Sequence, residues 1–177
     1  MAKKEPKTNA MRMLERAKIP FEVHRYECKE FIDGITIADM LNEPYERVFK
    51  TLVTEGKSGG YFVFVVPIDK ELDLKKAAKA AGEKSVEMIH VKDINKITGY
   101  IRGGCTAIGM KKDYPTVLDA SANDQEKIIV SGGRLGTEEK EKKCCKRSGE
   151  LVGLPDYFCG CGIFFDSLCR RTYGSEW

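Results

Sequence analysis

The chain offers few groups for covalent chemistry. Its two histidines, His24 and His90, lie far apart and no GxSxG accompanies them, so nothing marks a Ser-His-Asp arrangement. His90, near the end of an apolar run, reads as a packed or surface residue. His24 shares a strand face with Tyr26, which leaves a pocket role open. Cys105, in "RGGCTAIG", is a nucleophile in principle, but no histidine stands near it in sequence to favour the thiolate. That glycine loop and "SGGRLG" are neither a P-loop nor a dinucleotide fingerprint. Their glycines imply tight turns or a close backbone approach. Residues 1–136 show no metal-ligand spacing. Beyond them, Cys144 and Cys145 are adjacent and Cys159 and Cys161 have a single residue between them, unlike the spacing of structural zinc sites. No metal and no cofactor are expected.

One lysine stands out by its place. "ERVFKTLVTEGKSGGYFVFVVP" holds two apolar runs around a glycine-rich turn, with Lys50 at the mouth of the first strand. A lysine of ordinary pKa, about 10.4, is a cation and not a base. Such a cation can be a strand-edge residue that reaches water along its stem. Held beside an apolar pocket, it can instead meet a phosphate or a developing oxyanion.

The elements that must position these groups read as follows. "TNAMRMLERAKIP" is a helix capped by Thr8 or Asn9, with Ala10, Met13, Leu14 and Ala17 on one face and Pro20 as its stop. "FEVHRYE" alternates as a strand. "GITIADMLN" is a helix, with Thr36 and Asp39 resembling a capping box and Ile37, Met40 and Leu41 facing inward. Pro44 opens a short helix through Val48. Lys50–Glu55 and Tyr61–Pro67 form a hairpin whose second strand, apolar on both faces, should be central. Asp73 and Gly82 bracket "LKKAAKAAG", with Leu74, Ala77, Ala78 and Ala81 inward. "SVEMI" is a strand, "VKDINKITG" a helix, and "TVLDAS" and "EKIIVSGG" are strands with "ANDQ" turning between them. Strands and helices mix without a β-α-β rhythm. The fold class is α+β, with a mixed, largely antiparallel curved sheet and surrounding helices.

Bulk properties set outer limits. The 177 residues suit one ordinary domain, and the 42% apolar fraction suffices for a core. No run approaches the ~18 apolar residues of a membrane span. "MAKKEPKTNAMRM" has no apolar signal region, so a cytoplasmic protein with no membrane association is expected. Net charge is only +3, and the excess lies before residue 137. Lys75, Lys76, Lys79 and Lys84 form a basic cluster that reads first as a solvated helix face.

Several strings taken together carry a resemblance. "VFKTLVTEGKSG", "ELDLKKAAKAAGEKSVEM", "TGYIRGGC", "IGMKK" and "VSGG", in that order, resemble the YbaK family, free-standing relatives of the editing domain of bacterial prolyl-tRNA synthetases. The likeness runs from about Lys7 to Gly136. It implies that family's fold and a deacylase of mischarged tRNA, most of all Cys-tRNA(Pro). Lys50 then matches the essential lysine of the "(F/Y)KTL" motif. Thr51 matches the neighbouring threonine, and Tyr26 a pocket tyrosine after the first strand. Gly103 and Gly104 open a substrate loop usually written GxxxP, with Thr106 where relatives carry serine. Ala107 stands where that loop has proline, which frees φ and puts the loop's rigidity in question. The implied partners are the acceptor end of mischarged tRNA and a prolyl-tRNA synthetase that selects it. In the implied chemistry the substrate's own thiol attacks its ester, a lyase-like cyclisation. A non-catalytic aminoacyl-tRNA or synthetase binder of the same fold is the rival reading.

The likeness stops at "GGRLG". Residues 1–136 are expected to be the editing domain and residues 137–177 a divergent, cysteine-rich, poorly packed tail. "TEEKEKKCCKRSG" lacks the apolar alternation of a strand, so the sheet should lose an edge there. Phe158, Ile163, Phe164 and Phe165 are its one sizeable apolar anchor.

Overall fold

A computed structural model describes residues 7–26, 31–135 and, for the backbone, 137–142. Helix α1, Asn9–Arg16, starts at Thr8, whose hydroxyl accepts the Met11 N–H, and buries Ala10, Met11 and Leu14. It ends before Pro20, at Lys18, which takes the left-handed φ of 56°. Strand β1 is Phe21–Arg25. Helix α2, Gly34–Leu41, is capped by Asp33, whose carboxylate accepts from the Ile35 and Thr36 N–H groups. The Thr36–Asp39 capping box is therefore corrected: Thr36 donates its hydroxyl to the same Asp33, and the helix begins earlier. Its inward residues are Ile37 and Ala38, while Met40 is 49% exposed. Tyr45–Arg47 is a single 3-10 turn after Pro44.

Strands β2, Phe49–Gly56, and β3, Tyr61–Pro67, form the expected hairpin, with Lys50 opposite Val66. Helix α3, Leu74–Ala81, has Asp73 as its N-cap and Gly82 at a left-handed φ of 71° closing it. Ala80 takes the inward place expected of Leu74. Strand β4, Val86–Met88, a 3-10 turn at Val91–Asp93 and helix α4, Ile94–Thr98, follow. Then come β5, Thr116–Leu118, a 3-10 turn at Ala120–Asp124, β6, Lys127–Arg134, and β7, Thr137–Lys142.

The strands divide into two sheets ordered β4-β2-β3-β5 and β1-β7-β6. Every pairing is antiparallel except β3 with β5. A parallel bridge from Val48 to Ile129 joins the two sheets. β3 is covered on both faces, as its apolar run requires. Phe62, Phe64 and Val66 pack under the alanines of α3. On the other side, Val65 meets Ala10, Leu14, Phe49 and Val130.

Two sequence expectations change. "ANDQ" is no hairpin turn: Asp119 caps the 3-10 turn that carries the chain from one sheet to the other. Residues 137–142 do form a strand, inserted between β1 and β6. Backbone ladders on both sides hold it, and these need no apolar alternation in its sequence. Residues 143–177, with the anchor Phe158, Ile163, Phe164 and Phe165 and five cysteines, lie outside the described residues.

Candidate active site

The opening beside Lys50 comes from a short neighbour. β4 pairs with β2 only at Thr54–Gly56, so the half of β2 from Phe49 to Val53 has no strand on that edge. A cavity of about 380 Å³ fills the gap. Its walls are β2 itself, Phe31 and the start of α2, Ile68, Met88–Ile94, the loop carrying Arg102, Gly103 and Cys105, and Ser131 of β6. Because the cavity runs along a strand edge, it reaches both Lys50 and Thr51, whose side chains leave the strand on opposite faces.

Lys50 is half-buried, and its Nζ donates to the Ile68 carbonyl at 3.1 Å. Its other two N–H bonds have no partner among the described residues. Burial pulls its pKa down, and the carboxylates of Glu71 and Asp69 oppose that shift by favouring the ammonium. Among the described residues no direct ion pair neutralises the cation. The Thr51 and Ser131 hydroxyl oxygens are shielded from water and lack hydrogen-bond partners among the described residues. Buried hydroxyls without partners are unfavourable in an apolar wall, and a polar ligand in this cavity would satisfy them.

The glycine loop is built for close approach. Gly103 sits at φ 82°, and a Cβ there would fall 2.7 Å from Leu135 Cδ2. A Cβ on Gly104 would come within 3.0 Å of the Arg134 backbone, so the loop lies directly on β6. Tyr100 pins the far end, donating its hydroxyl to the carbonyls of Ile108 at 2.7 Å and Gly109 at 3.0 Å. Ala107 packs against two core clusters. The loop therefore has anchors other than the proline it lacks.

The expected site residues separate into two groups. Lys50, Thr51 and Gly103 line one cavity. Tyr26, Gly104 and Thr106 are not among its lining residues. Tyr26 follows β1 with a buried hydroxyl. Thr106 is 1% exposed and accepts a long hydrogen bond from the Ile108 N–H, a contact that shapes the loop. Cys105 does reach the cavity, but burial pushes its thiol up to about 11, which removes it as a ready nucleophile. His24 lies on β1 opposite Glu138, and His90 is exposed before a 3-10 turn. Among the described residues no cluster of three or more histidines, cysteines or carboxylates could hold a metal.

The sequence reading missed Phe31, Arg102 and Ser131. The Arg102 guanidinium lies 4.2 Å from the centre of the half-exposed Phe31 ring, a cation–π pair at the cavity wall. Nothing in "CKEFIDG" signals that role for Phe31. For Ser131, the flagged "SGG" was the one available hint.

Comparison with known proteins places the chain in a family. The family model described as an aminoacyl-tRNA editing domain matches residues 35–138. An Enterococcus faecalis protein, provisionally named Cys-tRNA(Pro)/Cys-tRNA(Cys) deacylase EbsC, is 49% identical over 141 residues. That alignment covers 78% of this chain and 86% of the relative. A proline–tRNA ligase of Fervidobacterium nodosum is 29% identical over 96 residues, which span 54% of this chain and 16% of the ligase. A solved structure described as a proposed trans-editing enzyme for prolyl-tRNA synthetase superposes with a TM-score of 0.66. It is 21% identical and matches 77% of this chain and 87% of its own, a likeness of fold. With the family model matching more than half of the chain's length and the Enterococcus faecalis relative 49% identical, the chain belongs to the aminoacyl-tRNA editing domain family.

Proposed function

We propose that this chain is a trans-editing deacylase that cleaves the aminoacyl ester of mischarged tRNA, Cys-tRNA(Pro) foremost. One observation carries the reading: the Lys50 ammonium stands at an apolar cavity with two N–H bonds that have no partner among the described residues. The Enterococcus faecalis relative, provisionally named a deacylase of Cys-tRNA(Pro) and Cys-tRNA(Cys), supports the substrate. Tyr26, Thr51, Gly103, Gly104 and Thr106 belong to the same proposal. Thr51 and Gly103 meet the aminoacyl end. Tyr26, Gly104 and Thr106 act from behind the wall, by holding the strand end and loop that shape it.

An aminoacyl ester is already reactive, so the protein's task is to position it and to stabilise charge as it develops. No protein nucleophile is required. The thiolate of the bound cysteine, having lost its proton to water, attacks its own carbonyl carbon. The C–O bond to the ribose breaks, and the ribose oxygen leaves and takes up a proton. Lys50 donates to the carbonyl oxygen as it gains negative charge, or to the terminal phosphate that fixes the ester in place. We place the protein in the cytoplasm, with tRNA as its substrate and a prolyl-tRNA synthetase as the partner that selects it. No helix among the described residues is long and apolar enough to cross a membrane.

The test is deacylation of Cys-tRNA(Pro), Ala-tRNA(Pro) and Pro-tRNA(Pro) by the intact chain. Release of the cysteinyl group from tRNA in preference to the cognate prolyl group is expected. Binding of all three without turnover would establish the non-catalytic binder instead.

A further inference from the structure

A second cavity, of about 460 Å³, shares no lining residue with the first. Phe64 and Val66 of β3 and Val117 of β5 form its floor, Ala77 and Ala80 of α3 one wall, and Ala120–Asn123 its far lip. Its surroundings are acidic: Glu46, Asp69, Glu71, Asp73 and Asp119 line it, against Lys70 and Lys76. β5, at the edge of its sheet, leaves this groove open on one side.

We propose that the groove seats the chain's own segment 158–165, "FCGCGIFF". The place where β7 ends argues for it. Lys142, the last residue of β7, lies opposite Lys127 at the start of β6. Lys127 in turn follows closely on the Ala120–Asp124 turn that makes the groove's lip. β7 therefore ends on the side of the fold that carries this lip. Residues 143–157 can span up to ~50 Å when extended, enough to cross its length. The residues that come first, Lys143, Lys146 and Arg147, carry the charge that an acidic rim attracts. Phe158, Ile163, Phe164 and Phe165 then supply apolar side chains to a floor of phenylalanine and valine.

The experiment places p-benzoylphenylalanine at position 70, on the groove's rim, in the full chain and irradiates it. Lys70 is exposed, so the substitution leaves the core untouched. The expected product is an intramolecular crosslink of monomer mass that maps to residues 158–165. It should fall at least tenfold when Phe164→Asp and Phe165→Asp are introduced together. A crosslink between two copies would assign the groove to self-association, and a crosslink to another segment, or none to the tail, would overturn the proposal. None of these readouts involves tRNA, so the result is independent of the deacylase reading.

Discussion

Lys50 owes its character to two neighbours of opposite effect. Burial disfavours its charge, and Asp69 and Glu71 favour it. Because the net shift is downward, the folded state releases this proton at lower pH than the unfolded chain does. Between the lowered pKa and the ordinary value of roughly 10.4, stability should therefore rise with pH relative to a variant without the group. Denaturant unfolding of the intact chain and of Lys50→Met, from pH 8 to 10.5, should show their difference moving in favour of the intact chain. A pH-independent difference would mean that the lysine is solvated in the native state. Gly104 gives a second residue-scale expectation. Gly104→Ala drives a methyl to within 3.0 Å of the Arg134 backbone, which cannot rotate away. A loss of about 1–3 kcal/mol in denaturant unfolding is expected. Of the site, Lys50, Thr51 and Gly103 were legible because their motif strings are local. Phe31 and Ser131 were not, since the fold brings them to Lys50 from other elements and nothing beside them in sequence encodes that meeting.

At the scale of elements, the glycine loop is held by its ends. Tyr100 ties it to two carbonyls, and Asn9 of α1 donates to the Gly109 carbonyl at 2.8 Å. Tyr100→Phe leaves the buried Ile108 carbonyl without that donor and should destabilise by about 1–3 kcal/mol, read from the thermal or denaturant midpoint. Ala107→Pro should keep activity and leave stability level or raised by roughly 0.4–1 kcal/mol, since it restricts the unfolded chain at a site where the resembled loop pattern, GxxxP, calls for proline. A sharp fall in turnover would show that this loop follows a path of its own. Element types were mostly readable. The β2–β3 hairpin and the caps at Thr8, Asp73 and Gly82 carry strong local signals. The Asp33 cap was misplaced because Thr36 offered a competing motif only three residues on. β7 was missed because its pattern is polar and its stability lies in pairing with strands distant in sequence.

Over the whole molecule, β7 sets where the domain closes. It pairs β1 on one side and β6 on the other, so we extend the proposed domain boundary from Gly136 to Lys142. A chain stopped after Gly136 exposes both of those edges and should melt well below one stopped after Lys142. Equal midpoints would restore the shorter boundary. The shortness of β4, which leaves half of one edge of β2 without a neighbouring strand, is what opens the candidate cavity, and no local sequence pattern announces it. The central claim is that this cavity is an editing site run by Lys50. The direct measurement is single-turnover deacylation of Cys-tRNA(Pro) by the intact chain and by Lys50→Ala, with both shown to be folded by circular dichroism. The account predicts loss of most of the rate, on the order of a hundredfold or more, for a charge aimed at the reacting ester. A folded Lys50→Ala variant that deacylates at close to the intact rate would contradict it.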